Sequence, residues 1–224
     1  MPPMDEYLRA AGASWSAGPA AGEWIGPLLD EFGPTLGHAV PAGYEAYVVV
    51  PIPWGEEDPE RHDYQVLEAL IEQVAPFTGA QVVHTALWEG WGWLYNRDED
   101  PRTAAGSSVF LVGPHDDGEL RRAQEAMARR RVARPDASPL TLPGRNYFLW
   151  SGPLSSVGAL RHTGDIPSLI WPEDRSWFIG APIYTSEIAL GADERVARAV
   201  LDAPALRELG ARRAGRDEVL QGDD

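Results

Sequence analysis

Cysteine and lysine are both absent from this chain of 224 residues. Without cysteine the protein has no disulfide, no thiolate nucleophile and no thiolate-ligated zinc or iron–sulfur cluster. Without lysine it has no lysine Schiff base and no P-loop lysine to bind phosphate. All 19 basic residues are therefore arginine. These two absences exclude several kinds of catalytic chemistry before any motif is considered.

Familiar catalytic motifs are missing as well. The sequence contains no G-x-S-x-G, no H-E-x-x-H, no Walker A motif and no G-x-G-x-x-G that opens a helix. A Ser–His–acid arrangement assembles from distant residues, so the lack of a motif weighs little against one. The five histidines are dispersed, with no two at the spacing of metal ligands. We therefore expect no metal and no cofactor, and favour a protein that is not an enzyme.

Long apolar runs are also lacking. The first six residues do not show the basic region and apolar run of a signal peptide, and no stretch is long enough to span a bilayer. We expect a cytoplasmic protein with no membrane partner.

Acidic residues outnumber basic ones by 34 to 19, which gives a formal net charge of −15. Residues 1–100 alone hold 17 acidic residues and 3 arginines. Such a field repels phosphates, so no nucleic-acid partner is expected. A basic protein is the natural partner for an acidic surface, whereas solubility alone is the alternative explanation of the charge.

The remaining sequence mixes β-branched runs with amphipathic segments. It predicts strands at 45–52, 80–95, 107–112, 140–150, 168–171 and 177–190, and in the last of these Gly180 and Pro182 predict a bulge or an edge position. It predicts helices at 63–76, 117–132 and 193–203, the last capped by Asp193.

These elements intermix without strict alternation, which favours an α+β fold. We expect a mostly antiparallel sheet with flanking helices in a single domain over residues 23–211. Residues 1–22 are rich in small and turn-forming residues and predict a loose N-terminal arm. Residues 212–224 predict a disordered tail.

Tryptophan is unusually frequent, with nine in the chain, and three of them lie in the segment 88–93, W-E-G-W-G-W. If this segment continues the preceding strand, Trp91 and Trp93 share one face and Trp88 lies on the other. Core packing and a contact surface for a partner both explain such rings, because Trp is well buried on average and is also frequent in binding hot spots.

A second aromatic segment is 171–177, W-P-E-D-R-S-W. Its Pro-Glu-Asp sequence predicts a tight turn in which Asp174 hydrogen-bonds its own backbone. Arg175 is expected to pair with a carboxylate or to stack on Trp171 or Trp177. Adjacent carboxylates in such a turn point apart, which argues against joint acid–base catalysis. The candidate binding residues are thus Trp88, Trp91, Trp93, Trp171, Glu173, Asp174, Arg175 and Trp177, and no catalytic residue or metal ligand is predicted.

Four sequence blocks carry a resemblance to known proteins. They are P-x-G-Y-E-A-Y at 41–47, W-E-G-W-G-W at 88–93, L-P-x-R-x-Y-x-L-W-x-G-P at 142–153 and W-P-E-D-R-S-W at 171–177. In this order they resemble a large family of uncharacterised actinobacterial proteins, which implies a source but no activity. The chain departs from the family pattern at 182–184, where E-I-D is expected, and at 188–192, where T-Y-V-G-G is expected. The loss of two carboxylates there argues against catalysis by carboxylates.

Three functional hypotheses follow. The leading one is a non-enzymatic, acidic protein-binding factor, of the immunity or antitoxin type, that covers a basic protein partner. The first alternative is a hydrolase or transferase that uses Glu173, Asp174 and Arg175 with a distant histidine. The second is a small-molecule binder in which the segment Trp88 to Trp93 stacks on a sugar or a base. The oligomeric state is left open.

Overall fold

The computed structural model describes residues 4–53, 59–95, 118, 121–122, 125–126, 131–183 and 185–222. The predicted strand at 107–112 lies outside these residues, as does most of the predicted helix at 117–132. Of the residues in this range that are described, 118, 121–122 and 125–126 are helical, whereas Arg131 is not and Val132 lies in a strand.

The described residues form short helices, one long helix and many strands. The helices are α1 (Met4–Ala10), α2 (Leu36–Ala39), α3 (Pro59–Thr78), α4 (Glu194–Asp202) and α5 (Pro204–Glu208), with a 3₁₀ helix at Leu154–Thr163. The strands are β1 (Ser14–Trp15), β2 (Ala46–Pro51), β3 (Val83–Trp88), β4 (Leu94–Tyr95), β5 (Val132–Ala133), β6 (Leu140–Leu142), β7 (Arg145–Gly152), β8 (Leu169–Pro172), β9 (Trp177–Gly180), β10 (Glu187–Ala192) and β11 (Arg212–Arg213).

One nine-stranded sheet organises this part of the chain. Its order is β1–β7–β3–β8–β9–β10–β2–β11, and β6 also pairs with β7. Every pairing in this sheet is antiparallel, whereas β4 and β5 form a separate parallel pair. Helices flank the sheet, so the predicted α+β fold with a mostly antiparallel sheet in a single domain is confirmed.

Both faces of the sheet are covered, which explains why β8, β9 and β10 are buried along their whole length. On one face, α3, α4 and α5 pack against strand residues such as Val48 and Leu190. On the other, the segment from Ile25 to Val40 packs against residues such as Phe178. A strand that is buried on both faces reads as a continuous apolar run, not as an alternating one.

The predicted strand at 177–190 is in fact two strands, β9 and β10, which pair with each other. Pro182 lies in the connection between them. Gly180 is needed for close packing and not for the predicted bulge, since a Cβ there would lie 2.2 Å from the carbonyl oxygen of Ala39. Only glycine at this position lets the segment from Ile25 to Val40 pack directly against β9.

The N-terminal residues are not a loose arm. Leu8 of α1 is completely buried, and β1 pairs with β7 at the edge of the sheet. The Trp15 ring packs edge-to-face on Trp150, with centroids 5.7 Å apart. The prediction of a loose arm is therefore wrong for residues 4–15, because two large apolar side chains anchor a segment that is otherwise rich in small residues.

The C-terminal residues are likewise ordered as far as residue 222. Strand β11 extends the sheet beyond β2, and Leu220 is buried. The Arg212 guanidinium lies 3.0 Å from the carboxylate of Glu187, which is completely buried, and Arg216 donates to the carbonyl of Val40 at 2.7 Å. The prediction of a disordered tail is wrong for residues 212–222, because Arg212 and Arg216 donate hydrogen bonds to buried acceptors of the domain.

Trp177 is expected to be one of the most important core side chains. Its ring is completely buried, and its indole N–H donates to Thr78 Oγ1 at 3.0 Å. Trp177→Ala should lower the free energy of unfolding by about 3–5 kcal/mol, because it leaves a large cavity. Urea denaturation followed by circular dichroism measures this loss. Trp88→Ala, at a half-buried ring, is the matched control, and an equal loss in the two variants would contradict the assignment.

Asp193 caps α4 as predicted, since its carboxylate accepts the Val196 N–H at 2.8 Å. This hydrogen bond lowers the pKa of Asp193 below its ordinary value of 3.8. A depressed carboxyl pKa stabilises the fold above the unfolded-state pKa and loses that effect as the pH falls through the folded-state pKa. Asp193→Ala should cost about 1 kcal/mol at neutral pH and progressively less in acid. Unfolding curves at both pH values test this, with Asp193→Asn as the control that keeps a capping acceptor.

Candidate functional site

Three of the five tryptophans in the predicted contact surface belong to the core. Trp93, Trp171 and Trp177 are 8%, 1% and 0% exposed, so the prediction that they meet a partner is wrong. Trp171 illustrates the reason, because it lies on a covered face of the sheet and stacks on Phe178 with centroids 5.8 Å apart. Trp88 and Trp91 are half-buried and keep part of their surface.

The segment 88–93 does not continue β3, which ends at Trp88. The chain turns here, and the Trp88 ring leaves no room for a side chain at Gly90, where a Cβ would lie 2.1 Å from it. Beyond the turn, the Trp91 and Trp93 rings lie nearly parallel with centroids 6.4 Å apart. The prediction that they share a strand face is therefore wrong, although the two rings are neighbours.

Residues 173–175 form the predicted turn, and the two carboxylates diverge as expected. Asp174 accepts the backbone N–H of Ser176 at 2.9 Å and the side-chain amide of Gln81 at 3.1 Å. Partial burial alone raises the pKa of Asp174, but these hydrogen bonds outweigh it and hold the pKa below its ordinary value. Asp174 is thus engaged in maintaining the turn.

Arg175 adopts a left-handed backbone conformation with φ of 56°, which is uncommon for a residue other than glycine. Its guanidinium lies 4.6 Å from the ring centroid of Trp24. Neither predicted stacking partner, Trp171 or Trp177, is available, because both rings are buried. The cation–π contact joins the turn to Trp24, the residue directly before the segment from Ile25 to Val40.

Glu173 points away from Asp174, towards a histidine that the sequence did not single out. The Glu173 Oε2 atom lies 2.6 Å from His84 Nε2. The other nitrogen, His84 Nδ1, lies 2.8 Å from Ser151 Oγ, and Ser151 Oγ lies 3.3 Å from Ser16 Oγ. Four side chains thus form an unbroken hydrogen-bonded row across the sheet, and we call Ser16, Ser151, His84 and Glu173 the polar row.

Strand register creates the polar row. His84 of β3 is directly opposite Ser151 of β7 on one side and Trp171 of β8 on the other. Side chains of directly paired residues project from the same face of a sheet and meet there. Glu173 follows β8 and is kept beside β3 by its backbone N–H, which donates to the carbonyl of Val82 at 2.9 Å.

When His84 is neutral, the chemistry of its partners determines the proton positions in the polar row. An ionised carboxylate only accepts hydrogen bonds, so an ionised Glu173 requires the proton of a neutral His84 on Nε2. The Nδ1 atom is then left as an acceptor, and the Ser151 hydroxyl donates to it. The Ser151 oxygen in turn accepts from Ser16. The hydroxyl proton of Ser151 therefore points at the Nδ1 atom of His84.

Exposure changes along the polar row. The His84 side chain is 11% exposed and the Glu173 side chain 67% exposed. The Trp171 ring lies beside the imidazole, with centroids 5.6 Å apart, and shields it from water. Ser151 is half-buried. The row therefore has a shielded base with a hydroxyl on one side and a solvent-facing carboxylate on the other.

Sequence reasoning identified Glu173 but missed His84 and Ser151. His84 lies in the predicted strand at 80–95, and Ser151 directly follows the predicted strand at 140–150. A histidine in an otherwise apolar strand was the available signal, because a buried imidazole needs partners. The identity of those partners depends on the pairing of β3 with β7 and β8.

Other kinds of site are less supported. Among the described residues, no three His, Asp or Glu side chains come together to hold a metal ion. No described helix is both long and apolar enough to cross a membrane. Comparisons with protein-family models, curated proteins and solved structures gave no match. The resemblance to an actinobacterial family therefore stays a prediction.

Asp174 and Glu173 have separate partners, although they are adjacent in the turn. Asp174→Ala should lower the free energy of unfolding by at most about 1 kcal/mol, because it removes two hydrogen bonds at an exposed site. The loss should disappear in acid, since a depressed carboxyl pKa stabilises only above the unfolded-state pKa. Thermal unfolding at neutral and acid pH measures both effects. A variant that also disturbs the His84 ring signals in NMR spectra would contradict a role confined to the turn.

Proposed function

We propose that this protein is a hydrolase that cleaves acyl esters, with Ser151 as the nucleophile, His84 as the general base and Glu173 as the carboxylate that orients the imidazole. The observation that carries the proposal is the pair of contacts at His84, 2.8 Å to Ser151 Oγ and 2.6 Å to Glu173 Oε2. A nucleophile, a base and an orienting acid in this order are the constellation used for acyl transfer on unrelated folds.

The reaction proceeds in two halves. Ser151 Oγ attacks the ester carbonyl carbon while His84 Nδ1 takes the hydroxyl proton, and Glu173 stabilises the imidazolium that forms. The tetrahedral intermediate then expels the alcohol, which receives that proton from Nδ1. In the second half, water gives a proton to Nδ1 and attacks the acyl carbon of the acyl-enzyme. The bond from that carbon to Ser151 Oγ then breaks, Oγ takes the proton back from Nδ1, and the acid is released.

Ser16 has a supporting role in this proposal. Its hydroxyl lies 3.3 Å from Ser151 Oγ, and its backbone N–H is bonded to the carbonyl of Leu149 at 2.9 Å. A hydroxyl that is held in place beside the nucleophile can donate to the oxyanion of the tetrahedral intermediate. Ser16 thus orients Ser151 in the free enzyme and is available to the transition state.

The proposal takes one residue from the predicted hydrolase site and leaves two aside. Glu173 contacts the distant histidine, whereas Asp174 and Arg175 are bonded to Gln81 and stacked on Trp24. The leading hypothesis from the sequence, an acidic factor that covers a basic protein, stays a prediction. Its support is reduced to the net charge and the half-buried rings of Trp88 and Trp91.

The proposal is tested with chromogenic acetate and butyrate esters and with a fluorophosphonate probe that labels activated serines. We expect ester hydrolysis and labelling at Ser151, located by peptide mass spectrometry. Ser151→Ala should abolish both, and His84→Gln should lower kcat/KM by roughly 10²–10⁴-fold, as for the loss of a general base. Glu173→Gln should lower it less, because the amide still holds the imidazole in place.

Ser14→Ala is the matched control, because Ser14 is an exposed serine whose Cα pairs with that of Ser151. It should keep wild-type activity and labelling. Labelling elsewhere, or hydrolysis that persists in Ser151→Ala, would remove the case for the polar row. Circular dichroism of each variant verifies that the sheet is intact.

A further inference from the structure

A cavity of about 360 Å³ lies at the β1 edge of the sheet and contains no residue of the polar row. Its walls come from three separate stretches of the chain. They are the end of α1 with Leu8 and Arg9, the residues 13–15 that lead into and form β1, and the pair Pro135 and Asp136. The volume lies near the lower end of the range for small-molecule sites.

The walls of this cavity are anchored in the core. Leu8 is completely buried, and Pro135 is buried as well. The Trp15 ring packs edge-to-face on two neighbours, with centroids 5.7 Å from Trp150 and 6.5 Å from Phe148. The backbone that carries the lining residues is therefore held in place, and Trp15 is a fixed aromatic wall.

Two opposite charges line the same cavity without pairing. Arg9 and Asp136 are both exposed, and both belong to the lining. Within the part of the chain that the structure describes, neither side chain forms an ion pair or a hydrogen bond, with the other or with a third residue. The cavity thus offers one guanidinium and one carboxylate, and both are accessible to a ligand.

We propose that this cavity binds a free amino acid with an apolar side chain. The Arg9 guanidinium matches a carboxylate, with which it forms two parallel hydrogen bonds. The Asp136 carboxylate accepts hydrogen bonds from the ammonium group. The apolar side chain of the ligand packs against Trp15 and removes part of its ring from water.

The pairing of charges favours a zwitterion over other ligands. A ligand with a single charge leaves either Arg9 or Asp136 without a partner. A simple anion is also opposed by the net charge of −15, which repels it from the protein. A zwitterion has no net charge, so it is not repelled and engages both groups.

The experiment uses L-phenylalanine as the probe and two analogues as control ligands. Phenethylamine lacks the carboxylate, and hydrocinnamate lacks the ammonium group. Isothermal titration calorimetry with the full chain should give L-phenylalanine a dissociation constant at least about tenfold lower than that of either analogue, since each analogue loses one charge-assisted contact. Glycine should also bind more weakly than L-phenylalanine, because it has no side chain to pack against Trp15.

Two variants assign each charge of the ligand to one residue. Arg9→Gln should weaken L-phenylalanine binding by about tenfold and leave phenethylamine binding unchanged, because phenethylamine has no carboxylate. Asp136→Asn should weaken L-phenylalanine binding to a similar extent and leave hydrocinnamate binding unchanged. Arg198→Gln and Asp202→Asn are the matched controls, since both residues are exposed, lie outside the lining and change the net charge by the same amounts.

Three results would overturn the proposal: no L-phenylalanine binding at millimolar concentration, equal binding of either analogue, or unchanged binding in both Arg9→Gln and Asp136→Asn. Equal binding of one analogue would indicate a simple cation or anion site. Circular dichroism of each variant verifies that the walls are folded. None of these measurements depends on ester hydrolysis, so the cavity and the polar row succeed or fail separately.

Discussion

The constraint on which this structure depends is burial of the sheet on both faces. Where strands are covered on two sides, a polar side chain without a partner is costly, because water does not reach it to replace the missing hydrogen bond. His84 projects from such a face beside Trp171, and the antiparallel register places Ser151 and Glu173 at its two nitrogens. The packing that favours partners for the imidazole therefore also brings a serine, a histidine and a glutamate together.

The fold class could be predicted because it depends on local patterns. The apolar runs around Val48 and Ile179 and the helical spacing of α3 and α4 follow directly from the periodicity of the side chains. The cap at Asp193 was predicted from residue type alone. The ends of the chain were predicted wrongly because composition does not reveal a single buried side chain. Leu8 and Leu220 are buried apolar residues in segments that are otherwise rich in polar or small residues.

The candidate site was predicted only in part, for a different reason. The divergence of Glu173 and Asp174 is a local property of the turn and was predicted correctly. The partnership of His84 with Ser151 joins residues 67 positions apart and depends on strand register. A slip of one residue would turn one of the two side chains to the opposite face. The sequence alone does not specify that register, so the polar row became visible only in three dimensions.

The acidity of the chain creates a negative electrostatic field around the polar row. Arginines near the C-terminus pair with acids of the domain, Arg213 with Glu194 and Arg216 with Asp30. Residues 1–100 nevertheless hold 17 acidic residues and only 3 arginines, so this part of the chain keeps a large acidic excess. A negative field of this kind repels anionic molecules from an exposed carboxylate such as Glu173. If the polar row hydrolyses esters as proposed, the field favours neutral or cationic ones, and salt should weaken that preference because the screening length is about 10 Å at 0.1 M ionic strength.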